Sequence, residues 1–202
     1  MSCSSRSSAP RRGAGRAAFA ARARAGALLV AAMLATAAAP TLAREAPPPV
    51  RAVVPEVRLA GQGRLTYFGL HVYDAQLFVP PGFEVRRFAE QPFGLELTYA
   101  RRLDGKRIAE RSRDEMARLG VGSEAQRERW MAAMTRLFPD VDAGRRLLGI
   151  NLPGVGARFF ADDKLLGDVD DPAFARAFFA IWLDERTSEP QLRAQLLQQR
   201  AR

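Results

Sequence analysis

Residues 61–80 constrain the fold of this chain more than any other segment, because they are apolar and patterned as a strand. Successive side chains of a strand point to opposite faces. The odd positions carry Tyr67, Gly69, His71, Tyr73, Ala75, Leu77 and Val79, and the even positions carry Phe68, Leu70, Val72, Asp74, Gln76 and Phe78. Neither face is cleanly polar, which is typical of a strand covered on both sides. We therefore expect one central strand here, entered through a turn at Gly61 and Gly63.

The rest of the chain alternates between strand and helix patterns. Phe93–Tyr99 alternates like a half-buried strand, and short strands are expected at 145–152, 157–161 and 165–169. Helical spacing covers 104–119 and 123–137, and further helices begin at Pro172 and Pro190. Because strands precede and follow a helix pair without strict alternation, we predict an α+β fold with an antiparallel or mixed sheet.

The N-terminus has the three-part layout of a secretory signal peptide. Residues 1–24 contain six arginines and no acidic residue, and an apolar run over 25–39 precedes Thr41-Leu42-Ala43. An uncleaved anchor is the alternative, but the run is shorter than the about 20 apolar residues of a spanning helix. We predict a signal peptide over 1–43, a proline-rich spacer over 44–52, a domain over 53–198 and a periplasmic location.

Cleavage changes the charge and removes the cysteine. Losing six of the 31 Lys and Arg residues leaves 25 against 22 acidic residues, interleaved along the chain, which disfavours a nucleic-acid partner. Cys3 leaves with the signal peptide, so no disulfide or thiol nucleophile is expected. No transmembrane segment is expected after cleavage.

No cofactor is predicted. A single histidine and no mature cysteine provide no metal-ligand spacing, and the aspartates of 162–171 lack the order of a calcium loop. No glycine-rich phosphate loop follows a strand, since Gly61 and Gly63 precede one.

The remaining candidates for chemistry are tyrosines, the histidine and nearby arginines. A phenol donates a hydrogen bond, while a guanidinium holds an anion bidentately. A structural interpretation stays open, because strand tyrosines usually pack their rings and a lone strand histidine is usually a core residue. The candidates are His71, Tyr67, Tyr73 and Tyr99, with Arg101, Arg102 or Arg158.

Several runs resemble the bacterial chalcone isomerase-like proteins over about residues 53–197. The runs are Gly61-x-Gly63, Tyr67–Ala75, Leu103-Asp-Gly105, Asp171–Asp184 and Thr187-Ser-x-Pro190. The resemblance implies the open-faced β-sandwich of chalcone isomerase, in which an apolar cleft lies between a large antiparallel sheet and a layer of helices.

The sequence does not retain the catalytic residues of the plant chalcone isomerases that it resembles. Their strand threonine falls on Phe68, their helix tyrosine on Ile108 and their late threonine on Phe179. Their asparagine falls on Glu115, and only Arg58 lies near their arginine. The implied cleft is therefore apolar. Fatty-acid-binding members of the wider family offer the precedent of a carboxylate held by an arginine and a tyrosine.

We therefore predict an exported binder of an apolar or amphipathic, fatty-acid-like molecule. The expected ligand-binding residues are Tyr67, Phe68, His71, Tyr73, Tyr99, Ile108, Phe178 and Phe179. One alternative is an isomerase or intramolecular lyase of the chalcone isomerase type, with His71 or Tyr73 as a replacement proton carrier. Another alternative is a partner-binding scaffold whose protein partner the sequence does not identify.

Overall fold

The computed structural model of the protein describes residues 45–198, so the predicted signal peptide lies outside the described residues. The elements are α1 (Pro48–Arg51), β1 (Arg58–Tyr67), β2 (Leu70–Val79), a 3-10 helix (Val85–Glu90), β3 (Phe93–Tyr99), α2 (Gly105–Arg118), α3 (Glu124–Leu137), β4 (Arg146–Leu152), β5 (Gly156–Ala161), β6 (Lys164–Val169), α4 (Pro172–Leu183) and α5 (Pro190–Leu196).

The described strands form one sheet in the order β1-β2-β3-β4-β5-β6, and every neighbouring pair is antiparallel. The larger core lies between one face of this sheet and the helices α2 to α5. A smaller core on the other face joins α1 to β2 and β4. The predicted α+β fold, a large antiparallel sheet with a layer of helices, is confirmed.

Residues 61–80 are not one central strand, and this prediction is wrong. β1 runs through Gly61 and Gly63, the chain reverses at Phe68-Gly69, and β2 returns beside it. The two turn residues have φ of 47° and 75°, as a tight two-residue hairpin turn requires. The apolar alternation continues across the turn because a phenylalanine occupies a position where asparagine or glycine is usual. The central strands are β3 and β4, and β3 is buried on both faces rather than half-buried.

Gly61 and Gly63 lie within β1, where they allow a close contact with α5 instead of forming a turn. A Cβ on Gly61 would collide with the backbone carbonyls of Gln195 and Leu196, and one on Gly63 would collide with the side chains of Gln195 and Leu192. Since a glycine lets another backbone approach closely, this pair allows α5 to lie directly on β1.

The predicted spacer is part of the fold from residue 45 onward. Its prolines begin α1, where a missing backbone N–H costs nothing. Val50 of this helix is 0% exposed and packs with Phe78 and Ile150 under the sheet. Gly94 on β3 makes room for it, because a Cβ there would lie 2.7 Å from a methyl of Val50. Residues 45–198 therefore contain both hydrophobic cores.

Asp171 fixes the start of α4, the most deeply buried helix. Its Oδ1 accepts hydrogen bonds from the backbone N–H of Ala173 (2.8 Å) and of Phe174 (3.2 Å), and its Oδ2 accepts one from Trp130 Nε1 (2.8 Å). Partial burial would raise the pKa of this carboxyl group, but the bond from Trp130 and the two backbone bonds outweigh it and lower the pKa. The ionised cap thus stabilises the fold.

We expect Asp171→Ala to lower the free energy of unfolding by about 2 kcal/mol at neutral pH, since it removes a helix cap and leaves the Trp130 N–H unpaired. A depressed folded-state pKa contributes stability above the ordinary aspartate pKa of about 4, and that stability is lost as pH falls through the folded value. The difference between variant and parent should therefore shrink below about pH 4. Urea unfolding at several pH values measures both effects.

The matched control is the exposed neighbour Asp170, whose replacement by alanine should change stability by less than about 0.5 kcal/mol. An Asp171→Ala variant as stable as Asp170→Ala would contradict the role of the cap.

Candidate functional site

A cavity of about 460 Å³ lies between the sheet and α2 and α4, within the usual size range of small-molecule pockets. Its interior is apolar because β3, β4 and β5 face α4 with leucine and phenylalanine side chains. The interior residues come from these three strands, from α4 and from the end of α3, and they are Leu95, Leu97, Phe138, Leu147, Phe159, Phe178 and Ile181. The rings of Phe138, Phe159 and Phe178 contact one another and form one continuous wall.

A bulge in β2 decides which side chains of the hairpin face the cavity. Leu65 pairs with Tyr73 but Thr66 pairs with His71, so Val72 is an extra residue. Between this extra residue and the hairpin tip, the side chains that face the cavity are therefore the even-numbered ones. Val72 and Leu70 line the cavity, whereas His71 does not. His71 Nε2 lies 3.2 Å from Asp74 Oδ1 instead. His71 is therefore not among the cavity-lining residues, because the bulge breaks the uniform strand period on which its expected place depends.

Tyr73 and Tyr99 form the buried polar part of the cavity lining. They are 9% and 3% exposed, and their ring centroids lie 5.8 Å apart in an edge-on contact. The Tyr73 hydroxyl accepts a hydrogen bond from Trp182 Nε1 at 3.0 Å, which leaves its own proton free to donate. Burial raises the pKa of both phenols. Both tyrosines therefore stay protonated at neutral pH and can donate to a ligand, but are poor bases.

Four arginines line the exposed part of the cavity, and we call them the arginine rim: Arg101, Arg102, Arg107 and Arg111. Arg111 pairs with Glu115 (2.5 Å) and Arg107 with Asp104 (3.4 Å), while Arg102 lies 3.9 Å from Asp140. Within residues 45–198, Arg101 has no carboxylate within 4.0 Å. The Arg111 guanidinium also lies over the Tyr67 ring, 5.9 Å from its centroid.

Glu115, at the position matched to the enzymes' asparagine, is engaged by protein groups. It is 6% exposed and receives hydrogen bonds from Arg118 Nε (2.8 Å) and Ser188 Oγ (3.0 Å) besides its pair with Arg111. These bonds join α2 to the start of α5. Burial raises the pKa of the nearby Glu189, which also lines the cavity. Glu115 is thus a structural link between helices.

The structure brings five of the eight predicted ligand-binding residues to the cavity: Tyr67, Tyr73, Tyr99, Ile108 and Phe178. Phe68 is 87% exposed at the hairpin turn, and Phe179 is 0% exposed, with its ring centroid 4.7 Å from that of Phe93. The resemblance implies that both line the cleft, but neither is among the residues that line this cavity. Arg158 is paired with Asp168 at 2.7 Å, away from the cavity.

Sequence reasoning missed two arginines of the rim. Arg107 and Arg111 are four residues apart on α2 and flank Ile108, so helical spacing already places the three on one side. Nothing in the sequence shows that this side of α2 borders a cavity, so the pattern alone indicates a solvated face.

Within the described part of the chain, no three potential metal-ligating side chains come together. None of the helices described there is long and apolar enough to cross a membrane.

A search of curated protein sequences found no match. Among solved structures, the fold is similar to the crystal structure of the fatty-acid binding protein AtFAP1 of Arabidopsis thaliana, with a TM-score of 0.56 and 14% sequence identity. The match covers 70% of this chain and 86% of that protein. At this identity the likeness concerns the fold alone.

A family model described as chalcone isomerase-like matches residues 45–198, which is most of the sequence and the same range that holds both cores. The chain therefore belongs to the chalcone isomerase-like family.

Proposed function

We propose that this protein binds a single-chain amphipathic carboxylate, such as a fatty acid, in the cavity between the sheet and the helices. The observation that carries the proposal is the division of the lining into an apolar interior and an arginine rim. A similar fold in a fatty-acid binding protein supports it.

The interior suits a hydrocarbon chain. Its leucine and phenylalanine side chains offer few polar groups, so water there makes poor hydrogen bonds, and each methylene moved out of water contributes about 0.8 kcal/mol. The two phenols near Trp182 are the exceptions, and one of them already accepts a hydrogen bond from the indole.

The rim suits the head group. A guanidinium binds a carboxylate through two parallel hydrogen bonds, and the phenol of Tyr67 stands beside Arg111 as a further donor. Arg101 is the first candidate, because among residues 45–198 it alone in the rim has no carboxylate within 4.0 Å. A ligand can therefore engage Arg101 without displacing an existing ion pair.

The structure offers less support for an isomerase. Proton transfer works best with a group whose pKa lies near the working pH. His71 is outside the cavity lining, and burial raises the pKa values of Tyr73 and Tyr99. Neither proton carrier named from the sequence, His71 or Tyr73, is thus suited to the role.

Binding of palmitate tests the proposal, using the delipidated chain from Arg44 onward, which contains both cores. By isothermal titration we expect a 1:1 complex that Arg101→Glu weakens about tenfold, because the variant replaces a favourable charge contact worth about 1.4 kcal/mol. Hexadecanol, which has the same chain length without the charge, should be insensitive to this substitution.

The control variant is Arg136→Glu, which reverses an exposed arginine on α3 outside the cavity lining. Its palmitate affinity should equal that of the parent. No measurable binding of either lipid would reject the proposal, and equal weakening by both variants would reject the arginine rim as the head-group site.

We also propose that the protein is exported before it binds its ligand. Support comes from the pattern of residues 1–43, in which an arginine-rich segment precedes an apolar run and a small-residue cleavage site.

The full chain, expressed in a bacterium with two membranes, should appear in the periplasmic fraction with Arg44 as its first residue. Intact-mass measurement checks the cleavage position. Ala43→Gln should block processing, because the cleavage site requires a small side chain, while Glu45→Gln should not. A full-length mass in the cytoplasmic fraction would contradict export.

A further inference from the structure

The tip of the β1–β2 hairpin exposes three large apolar side chains in close succession. Phe68 is 87% exposed, and Tyr67 and Leu70, on either side of the turn, are 51% and 53% exposed. The other exposed large apolar residues among the described ones, Val155 and Leu165, occur singly. Single exposed apolar residues are ordinary on a protein surface, whereas a contiguous group marks an interaction site.

Phe68 is unfavourable to the hairpin for a second reason. Its φ of 47° lies in the left-handed region, which glycine, asparagine and aspartate adopt far more readily than a bulky aromatic residue. An asparagine there would relieve the backbone and remove an exposed ring. The side chain is thus present at a cost to stability, which points to a use outside the fold.

The tip is continuous with the cavity and the arginine rim. Tyr67 and Leu70 both line the cavity, and Arg111 lies over the Tyr67 ring. The rim side chains of Arg102, Arg107 and Arg111 are 71%, 79% and 58% exposed. Their long side chains can reach charged groups above the tip while the aromatic rings enter an apolar layer.

Several acidic side chains on β2, on α2 and in the loops beside it are engaged with arginines. Asp104 and Asp140 face Arg107 and Arg102, Asp74 is 2.8 Å from Arg64, and Glu115 pairs with Arg111. Arg101 has no such partner within residues 45–198. Arg101 therefore adds to the rim a positive charge that no described carboxylate within 4.0 Å neutralises, and Glu189 is the acidic side chain of the cavity lining that forms no ion pair within residues 45–198.

From this arrangement we infer that residues 67–70 dock on the surface of an anionic lipid bilayer. Aromatic side chains at the level of the head groups and arginines on the phosphates are the combination by which peripheral segments bind membranes. Docking places the mouth of the cavity against the bilayer, so an apolar ligand can pass without crossing water. The purpose of docking rests on the proposed function, but docking itself does not require a ligand.

Flotation with vesicles of phosphatidylcholine and phosphatidylglycerol tests the inference. The chain from Arg44 onward is used, because the apolar segment before it would itself bind lipid. Phe68→Asn should lower the partition coefficient about tenfold, since it removes the ring that enters the apolar layer. Its thermal unfolding temperature should equal or exceed that of the parent, which separates lost docking from lost folding.

The matched control is Val155→Asn, which removes a residue 53% exposed in the β4–β5 turn at the opposite end of the sheet. It should bind vesicles like the parent. Vesicle binding of Phe68→Asn equal to that of the parent would overturn the inference, as would an equal loss in both variants. A dimer that depends on Phe68 and forms without vesicles would assign the tip to a second copy and also overturn it.

A fluorescent fatty acid titrated without vesicles distinguishes this inference from the proposed function. Phe68→Asn should bind it like the parent, because Phe68 does not line the cavity. If the parent fails to bind the fatty acid but docks through Phe68, the docking inference stands and the proposed function fails. If the parent binds the fatty acid but its vesicle binding does not depend on Phe68, the proposed function stands and the docking inference fails.

Discussion

The structure depends on covering both faces of its two central strands. β3 and β4 are buried throughout most of their length, so one face needs the helix layer and the other needs α1. α4 supplies most of the first cover, with Phe174, Phe178 and Phe179 packed on the sheet. Near the β1–β2 hairpin this cover is incomplete, and the unfilled space between sheet and helices is the cavity. The candidate site thus exists because the helices do not cover the sheet completely near this hairpin.

The chemistry of the cavity follows from its surroundings. Burial keeps Tyr73 and Tyr99 protonated, and Glu115 is committed to Arg111, Arg118 and Ser188. These groups can donate hydrogen bonds or hold helices together, but they do not form an acid and base pair. The rim provides fixed positive charge, and the interior provides apolar surface. This combination suits retention of an amphipathic anion better than proton transfer.

Local signals in the sequence predicted most of the fold. The helical spacing of 123–137, the helix start at Pro172 and the strand Phe93–Tyr99 each depend on neighbouring residues, and these three elements were found close to where they were expected. The errors arose where contacts between distant residues decide the structure. A turn was missed because Phe68 occupies a position where glycine or asparagine is usual, and the bulge at Val72 moves His71 out of the cavity lining. Val50 was left outside the predicted domain, and it is buried because Gly94 on β3 leaves room for its side chain. Half of the arginine rim was overlooked for the same reason, since a cavity is not a property of one helix.

The most direct test of the account is a crystal structure of the chain from Arg44 onward with palmitate. We predict hydrocarbon density between β3, β4 and α4, and a carboxylate within hydrogen-bond distance of Arg101 or its neighbours in the rim. A carboxylate buried at Tyr73 and Trp182 with the chain pointing outward would contradict the assigned orientation. An empty cavity at saturating palmitate would contradict the central claim.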